Sequence, residues 1–245
     1  MVAPGSAEWW LERRARDARR RPRADGLTIE RIVGAAVALV DADGLAALTV
    51  RRLADELRTG SASLYRHVAS REELLVLMVD HVLGEVRSPD PSLTGREQVE
   101  ELAGELRRVL MSHPSLLPAL TAAPLLGPNA MHGAEQGLSH LLDAGFEPKA
   151  AVPAYLALVD FVLGTVYFDT SSAGRSLVGG AGRGDHGDAG WSELAALGAG
   201  QYPTLHDHEA ELSGADVDEV FRFGITTFLD GLERRFPPTP PARRG

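Results

Sequence analysis

Apolar residues recur at helical spacing along most of the chain, and no stretch alternates at the two-residue period of a strand. Ile32, Ala36 and Leu39, with Val33, Val37 and Val40, form one face of a helix that Thr28 can cap and Asp41-Ala42-Asp43-Gly44 ends. Thr49 can cap a second helix to Leu57, and Ser61 a third that reaches only about His67. Ser70-Arg71-Glu72-Glu73 matches a capping box and opens a fourth along Leu74, Leu75, Met78, His81 and Val82. Ser88-Pro89-Asp90-Pro91-Ser92 stops it, and a domain boundary is expected there.

Beyond the boundary the pattern stays helical. Thr94-Gly95-Arg96-Glu97 is a second capping-box match, leading into Leu102, Leu106, Val109 and Leu110. Pro114 and Pro118 bracket a short helical piece, and Pro124 to Pro128 reads as a loop. Helix returns from Asn129 to Ala144, and Pro148 suits the start of another that runs to about Thr170. Residues 171–190, rich in Ser, Gly and Asp, read as a flexible connector. A last amphipathic helix carries Val217, Val220, Phe221, Gly224, Ile225, Phe228 and Leu232. The fold class is all-α: a three-helix head holding a helix-turn-helix, then a larger helical domain.

Composition adds bounds. With 245 residues, 44% of them hydrophobic, the chain can bury a substantial core. It has no cysteine, which excludes disulfides and thiolate metal sites and suits a reducing compartment. The stretch MVAPGSAEWWLERRARDARRR has no apolar run of the signal-peptide kind. The most apolar segment, Ala150 to Phe168, is interrupted by Asp160 and reads as too short and mixed to span a bilayer. A cytoplasmic protein that engages no membrane is the expectation.

The net charge of −9 argues against a nucleic-acid partner until its distribution is read. Residues 1–87 hold 14 Arg and 13 Asp or Glu, whereas residues 88–245 carry a net −10. Seven arginines crowd between Arg13 and Arg23. The pattern suggests a basic arm, a near-neutral head and an acidic body, although a solvated tail would also explain the arm.

Residues 49–68, TVRRLADELRTGSASLYRHV, explain why a good helix is broken only to start a shorter one. Two short helices joined by a tight turn make a helix-turn-helix. Ala54 is small enough for the helix crossing, and Gly60 relieves the turn. Leu53, Leu57, Leu64 and Val68 face the rest of the head at steps of four, seven and four. Ser61, Ala62, Ser63, Arg66 and the edges of Tyr65 and His67 are left pointing outward. A short helix of that kind fits a major groove, with its N-terminal N–H groups near phosphate. The competing reading is an ordinary helical hairpin in a core.

The sequence DADGL, then LTVRRLADEL, SLYRHV and SREELL, resembles the DNA-binding head of the TetR family of bacterial transcription regulators over residues 28–87. The resemblance implies that Arg51 contacts base or phosphate and that Ser61, Ala62 and Ser63 meet base edges. It implies further that Tyr65 and His67 bind backbone phosphates and that Arg71 anchors another phosphate; the outward-facing Arg66 is counted with them as a DNA contact. An arm around Arg20 to Arg23 would reach a neighbouring groove. One departure stands out: Arg58 occupies the place after Leu57 where the family usually has Gly. If the backbone there is left-handed, Arg costs on the order of 1 kcal/mol more than Gly.

Residues 95–235 resemble the ligand-binding, dimer-forming half of the same family, with PLLGPNAM and YLALVDFVLGTVYF pointing to a subgroup near the tetracycline repressor. The domains expected are a basic flexible arm (1–27), a helix-turn-helix DNA-binding domain (28–87), a ligand-binding and dimerisation domain (93–235) and a disordered tail (236–245). The helix from Val152 to Phe168, apolar nearly all round, should be buried on every side, either in a dimer or inside a monomeric bundle. Candidate effector contacts are the polar and aromatic residues on apolar helices: His81, His113, Asn129, His132, Tyr155, Asp160, Phe161 and Tyr167. Asp160, between Val159 and Phe161, should need a partner or ligand.

Other motifs fail on context. Gly182-Arg183-Gly184-Asp185-His186-Gly187 matches G-x-G-x-x-G but lacks the strand before and helix after. His206-Asp207-His208-Glu209 would not place its histidines on one helix face. No nucleophile–base arrangement can be assembled, and no metal or cofactor is expected. The expected partners are a double-stranded DNA operator, a small-molecule effector and a second copy of the chain. An all-helical enzyme acting on a small hydrophobic molecule, or a helical adaptor for a protein, are the alternatives.

Overall fold

In the computed structural model, which describes residues 2–18, 27–120, 124–170, 200 and 202–238, every regular element is helical. The described residues fall into two units: Met1–Ser88 with Arg108–Gly137, and Pro89–Arg107 with Leu138–Gly245. The Gly182 pattern, the connector at 171–190, the arm at Arg20 to Arg23 and most of the tail lie outside the described residues.

The first unit holds α1 (Ala7–Ala18), α2 (Ile29–Asp43), α3 (Val50–Glu56), α4 (Ser61–Tyr65) and α5 (Arg71–Leu83). It also takes the end of α6 (Gly95–Ser112), the short α7 (Leu117–Leu120) and the start of α8 (Pro128–Asp143). Its core joins Ile32, Ala36 and Val40 of α2 to Leu53, Ala54, Leu64 and Val68 around the turn, and to Met78 and Val82 of α5. Each large apolar side chain buried there stabilises the fold by about 1.5–3 kcal/mol.

The helix starts follow local chemistry. Thr28 accepts from the Arg31 N–H at 3.3 Å and Thr49 from the Arg52 N–H at 3.2 Å. Such caps contribute about 1 kcal/mol each. Ser61 does not cap α4 as expected; Gly60 is the cap residue, and Ser61 is the first helical residue. The Thr94 box closes fully: its backbone N–H donates to Glu97 Oε2 at 2.8 Å, and the Glu97 N–H donates to Thr94 Oγ1 at 3.4 Å.

The end of α3 decides the Arg58 question. Arg58 has φ 51°, the one positive-φ non-glycine among the described residues. Its N–H donates to Asp55 O at 3.1 Å, and the Thr59 N–H reaches back to Ala54 O at 2.9 Å. That pair of bonds is a Schellman stop, whose left-handed position is normally Gly.

Residues 7–18, within the stretch expected to be a flexible arm, form a docked helix instead. Trp9 and Trp10 of α1 join the first unit's core, and Arg13 is buried beside them. The run of arginines hid this, because the two tryptophans and Arg13 lie on one side and most of the other charges face out.

The second unit holds the first part of α6, the rest of α8, α9 (Pro148–Thr170), α10 (Pro203–Asp207), α11 (Glu209–Ser213) and α12 (Val217–Arg235). Phe161 of α9 stacks on Phe221 of α12 with ring centres 5.8 Å apart. Gly224 permits this approach, since a Cβ there would stand 2.4 Å from Phe161 Cζ. Arg96 of α6 bridges Asp230 at 2.7 Å and Glu233 at 2.9 Å. Arg107 bonds Asp169 at 3.0 Å and lies 4.9 Å over the Phe221 ring.

α9 departs from expectation in one respect. Its 23 residues include an 18-residue window of mean hydropathy 1.7, long and apolar enough to cross a membrane by length and composition. Among the described residues of the single chain it is not buried on every side, which rules out the interior of a monomeric bundle and leaves the dimer alternative open. Ala150, Ala154, Leu158, Val162 and Val166 are buried, whereas Val152, Leu156, Tyr167 and Phe168 are open.

Replacing Arg58 by Gly should relieve the left-handed residue by about 1 kcal/mol, less some added freedom in the unfolded chain. Thermal melting should show Tm raised by up to about 2–4 °C. An unchanged or lower Tm would mean that the Arg58 backbone carries no penalty.

Candidate functional site

α4 has only five residues, and its core-facing positions leave its outer surface polar. Leu64 is buried, with Val68 just beyond it, while Ser61, Ala62, Tyr65 and Arg66 are exposed and Ser63 and His67 are half-buried. Tyr65 is 55% exposed, too open to be a core tyrosine. Arg66 Nη2 donates to Ser63 Oγ at 2.9 Å, which lays the guanidinium along the helix. Arg51 is exposed at the start of α3. Arg71, exposed at the start of α5, donates to Leu45 O at 3.2 Å. The eight residues expected at DNA therefore sit in one motif, none of them buried.

The turn between α4 and α5 is held by Glu73. Its N–H donates to Ser70 Oγ at 3.1 Å, and its Oε2 accepts the Ala69 N–H at 2.8 Å. The side chain thus reaches one residue further back than the capping box requires. Its Oε1 pairs with the Arg13 guanidinium and with Arg16 Nη2, the latter at 3.1 Å. Glu73 and Arg13 are both 3% exposed.

A small cavity, partly open to solvent and with room for about one water molecule, lies two turns further along α5. Trp10, Val76, Val79, Asp80, Gly127 and Ala130 are among its walls. Asp80 Oδ1 accepts the N–H groups of Asn129 and Ala130, each at 3.1 Å, and so caps the start of α8. Burial pushes the Asp80 carboxyl above the usual aspartate value of 3.8, against the pull of those two donors. A Cβ at Gly127 would collide with Asp80 Oδ1 and stand 2.8 Å from Trp10 Cζ2. The Trp10 indole N–H is buried and finds no acceptor among the described residues.

The eight expected effector contacts divide between the two units. His81, His113, Asn129 and His132 belong to the first unit; Tyr155, Asp160, Phe161 and Tyr167 belong to the second. Asn129 reaches the cavity region, its Nδ2 donating to Asp80 O at 2.9 Å. His113 instead bridges Asp41 (2.8 Å from Nδ1) and Glu85 (3.2 Å from Nε2), contacts that both ring nitrogens can donate to only when protonated. His81 is half-buried on α5, and His132 is exposed. Tyr155 is half-buried, and burial raises its phenol. Asp160 is exposed, so it escapes the desolvation that the sequence seemed to impose. It lies on the open stripe of Val152, Leu156 and Tyr167, beside Phe161 on the packed side. Asp80 carried the same signal, a carboxylate within LVLMVDHVL, and is the buried one. Among the described residues no group of three His, Cys, Asp or Glu could hold a metal ion.

A helix-turn-helix presenting one short polar helix, followed by a helical body, defines a DNA-binding regulator of transcription. Residues 32–78 match the family model described as bacterial regulatory proteins, tetR family, and residues 88–236 match that of the tetracyclin repressor-like C-terminal domain. An HTH-type transcriptional repressor, DrrR1 of Streptomyces coeruleorubidus, is 35% identical over 210 residues, 84% of this chain and 77% of that protein. An HTH-type transcriptional regulator of Saccharopolyspora erythraea is 40% identical over 57% of this chain and 60% of its own length. The crystal structure of Streptomyces coelicolor ActR in complex with actinorhodin is similar with TM-score 0.74 and 34% identity, over 87% of this chain and 98% of that one. The chain belongs to the TetR family of bacterial transcription regulators.

The raised Asp80 carboxyl favours the folded protein at acid pH, and that contribution is lost as pH rises through its folded-state value. The stability of the native protein relative to Asp80→Asn should therefore fall as pH climbs from about 4 toward 7. Urea melts across that range check it; a constant or growing difference would contradict the burial argument.

Proposed function

We propose that the protein is a repressor that binds a palindromic operator as a homodimer and is released by a small-molecule effector. The observation that carries the reading is the five-residue α4, seated on buried Leu53, Leu64 and Val68 with every outward position polar or small. In the proposed complex Ser61, Ala62 and Ser63 meet base edges in a major groove. Tyr65, Arg66, His67, Arg51 and Arg71 hold phosphates on either side and set the register. The protein works by binding, needs no cofactor or metal, and acts in the cytoplasm without a membrane.

The open apolar stripe of α9 and Phe223 of α12, which is 72% exposed, support a self-association face. A two-fold pair would place two α4 helices one turn of duplex apart, ~34–36 Å. The same pairing accounts for the length and hydropathy of α9 without a bilayer. ActR held actinorhodin in its crystal, which supports a small-molecule effector here too. The cavity beside Asp80 is the proposed place of binding. It has room for only about one water molecule, so its walls must shift substantially to admit a drug-sized ligand, which needs about 300–1,000 Å³. Those walls include α5, whose first turn holds α4, so a shift there changes the spacing of the two heads.

Fluorescence anisotropy with duplex from upstream of the protein's own gene tests the DNA reading. Affinity should fall with salt at a log–log slope of about −0.9 per phosphate contact. Tyr65→Ala and Arg71→Ala should each weaken binding, Arg71→Ala also reducing that slope by about one. Unchanged affinity in both variants would overturn the assigned roles. Leu156→Asp or Phe223→Asp should convert a dimer to a monomer in analytical ultracentrifugation and lose operator binding. A fully dimeric variant would place the interface elsewhere. A thermal-shift screen should find a compound that also frees the operator, a tenfold release requiring a preference of about 1.4 kcal/mol for the free geometry.

A further inference from the structure

Helix α1 lies outside both stretches matched by the family models, 32–78 and 88–236, yet it is built into the head. Its grip centres on one carboxylate. Glu73 shares its two oxygens between α1, through Arg13 and Arg16, and the turn that follows α4, through the Ala69 N–H. Capping boxes accept Gln as readily as Glu at this position. The negative charge is therefore superfluous for the turn and is required by the buried Arg13. Arg16 also meets Glu73 and Asp17 stands 3.5 Å from Arg13, but Arg13 and Glu73 are the two buried members, and separating buried opposite charges strongly destabilises their surroundings. Trp9 packs edge-on against Trp10 and under Arg13, whose guanidinium carbon lies 5.5 Å from the Trp9 ring centre, so the helix docks as one block.

We infer that Arg13 is a positioning residue for operator binding: acting through Glu73, α1 straps down the Ala69–Ser70 turn and fixes the direction in which α4 projects. The inference rests on the reading of α4 as the DNA-contacting helix. The second end of the strap is Trp10, at the cavity wall against Gly127 and Asp80. Anything that widens the cavity at Trp10 pulls on the same helix that holds Glu73, which gives the cavity a direct mechanical link to α4.

The test uses the full chain and duplex from upstream of its own gene. Arg13→Gln should weaken binding by about tenfold or more, equivalent to about 1.4 kcal/mol, while circular dichroism and melting show a folded protein. Arg13→Lys should recover most of the affinity, and Glu73→Gln, which keeps the acceptor for Ala69, should behave like Arg13→Gln. In the native protein, duplex binding should slow hydrogen exchange in residues 9–16. Arg13→Gln and Glu73→Gln binding as tightly as the native chain, or a loss that Arg13→Lys leaves unrepaired, would overturn the inference. If Arg13→Gln fails to fold, the exchange measurement decides: unchanged exchange in α1 on duplex binding overturns it. A native chain that binds the duplex while Arg13→Gln binds equally well sinks only the strap. A native chain that binds no such duplex removes the DNA reading, and the strap falls with it.

Discussion

A helix of five residues cannot stand alone in water. Nucleating the first turn fixes about six dihedrals for one hydrogen bond, and isolated helices shorter than ~12–15 residues are marginal. α4 therefore exists only because Leu64 and Val68 are buried beneath it and because the turns on either side are fixed. The same constraint serves recognition. An element with no stability of its own takes its orientation wholly from its neighbours, so whatever moves the neighbours moves the surface offered to DNA.

Two devices fix those turns, and they differ in kind. Before α4, the Schellman stop of α3 bends the chain through a left-handed Arg58, a residue that carries charge into the turn at the expense of strain. After α4, the buried Glu73 ties Ala69 and Ser70 to a helix some sixty residues earlier in the chain. The acidic body and near-neutral head fit this division, since only the head needs a surface that phosphate does not repel.

What the sequence revealed was mostly local. Caps at Thr28, Thr49, Ser70 and Thr94, and the spacing of Leu53, Leu64 and Val68, are encoded within a few residues, so pattern and structure agree there. The family resemblance raised the Arg58 question, and its φ answered it. What was hidden depends on distant partners. Arg13 looked like one charge in a basic tail, because nothing near it in sequence announces Glu73. His113 looked like a ligand contact, because Asp41 and Glu85 are 72 and 28 residues away. Asp80 and Asp160 present the same local signal, a carboxylate in an apolar helix. Only packing separates the buried one, which caps α8, from the one on the open stripe.

The most direct test of the central claim asks whether α4 itself enters the groove. The chain has no cysteine, so Ala62→Cys provides a unique site for a photoactivatable arm. On operator duplex, cross-links from position 62 should map to bases in two half-sites about 10–10.5 bp apart, whereas the same arm at Glu30 on α2 should yield none. Cross-links absent at position 62 and present at position 30, or confined to a single site, would contradict the account.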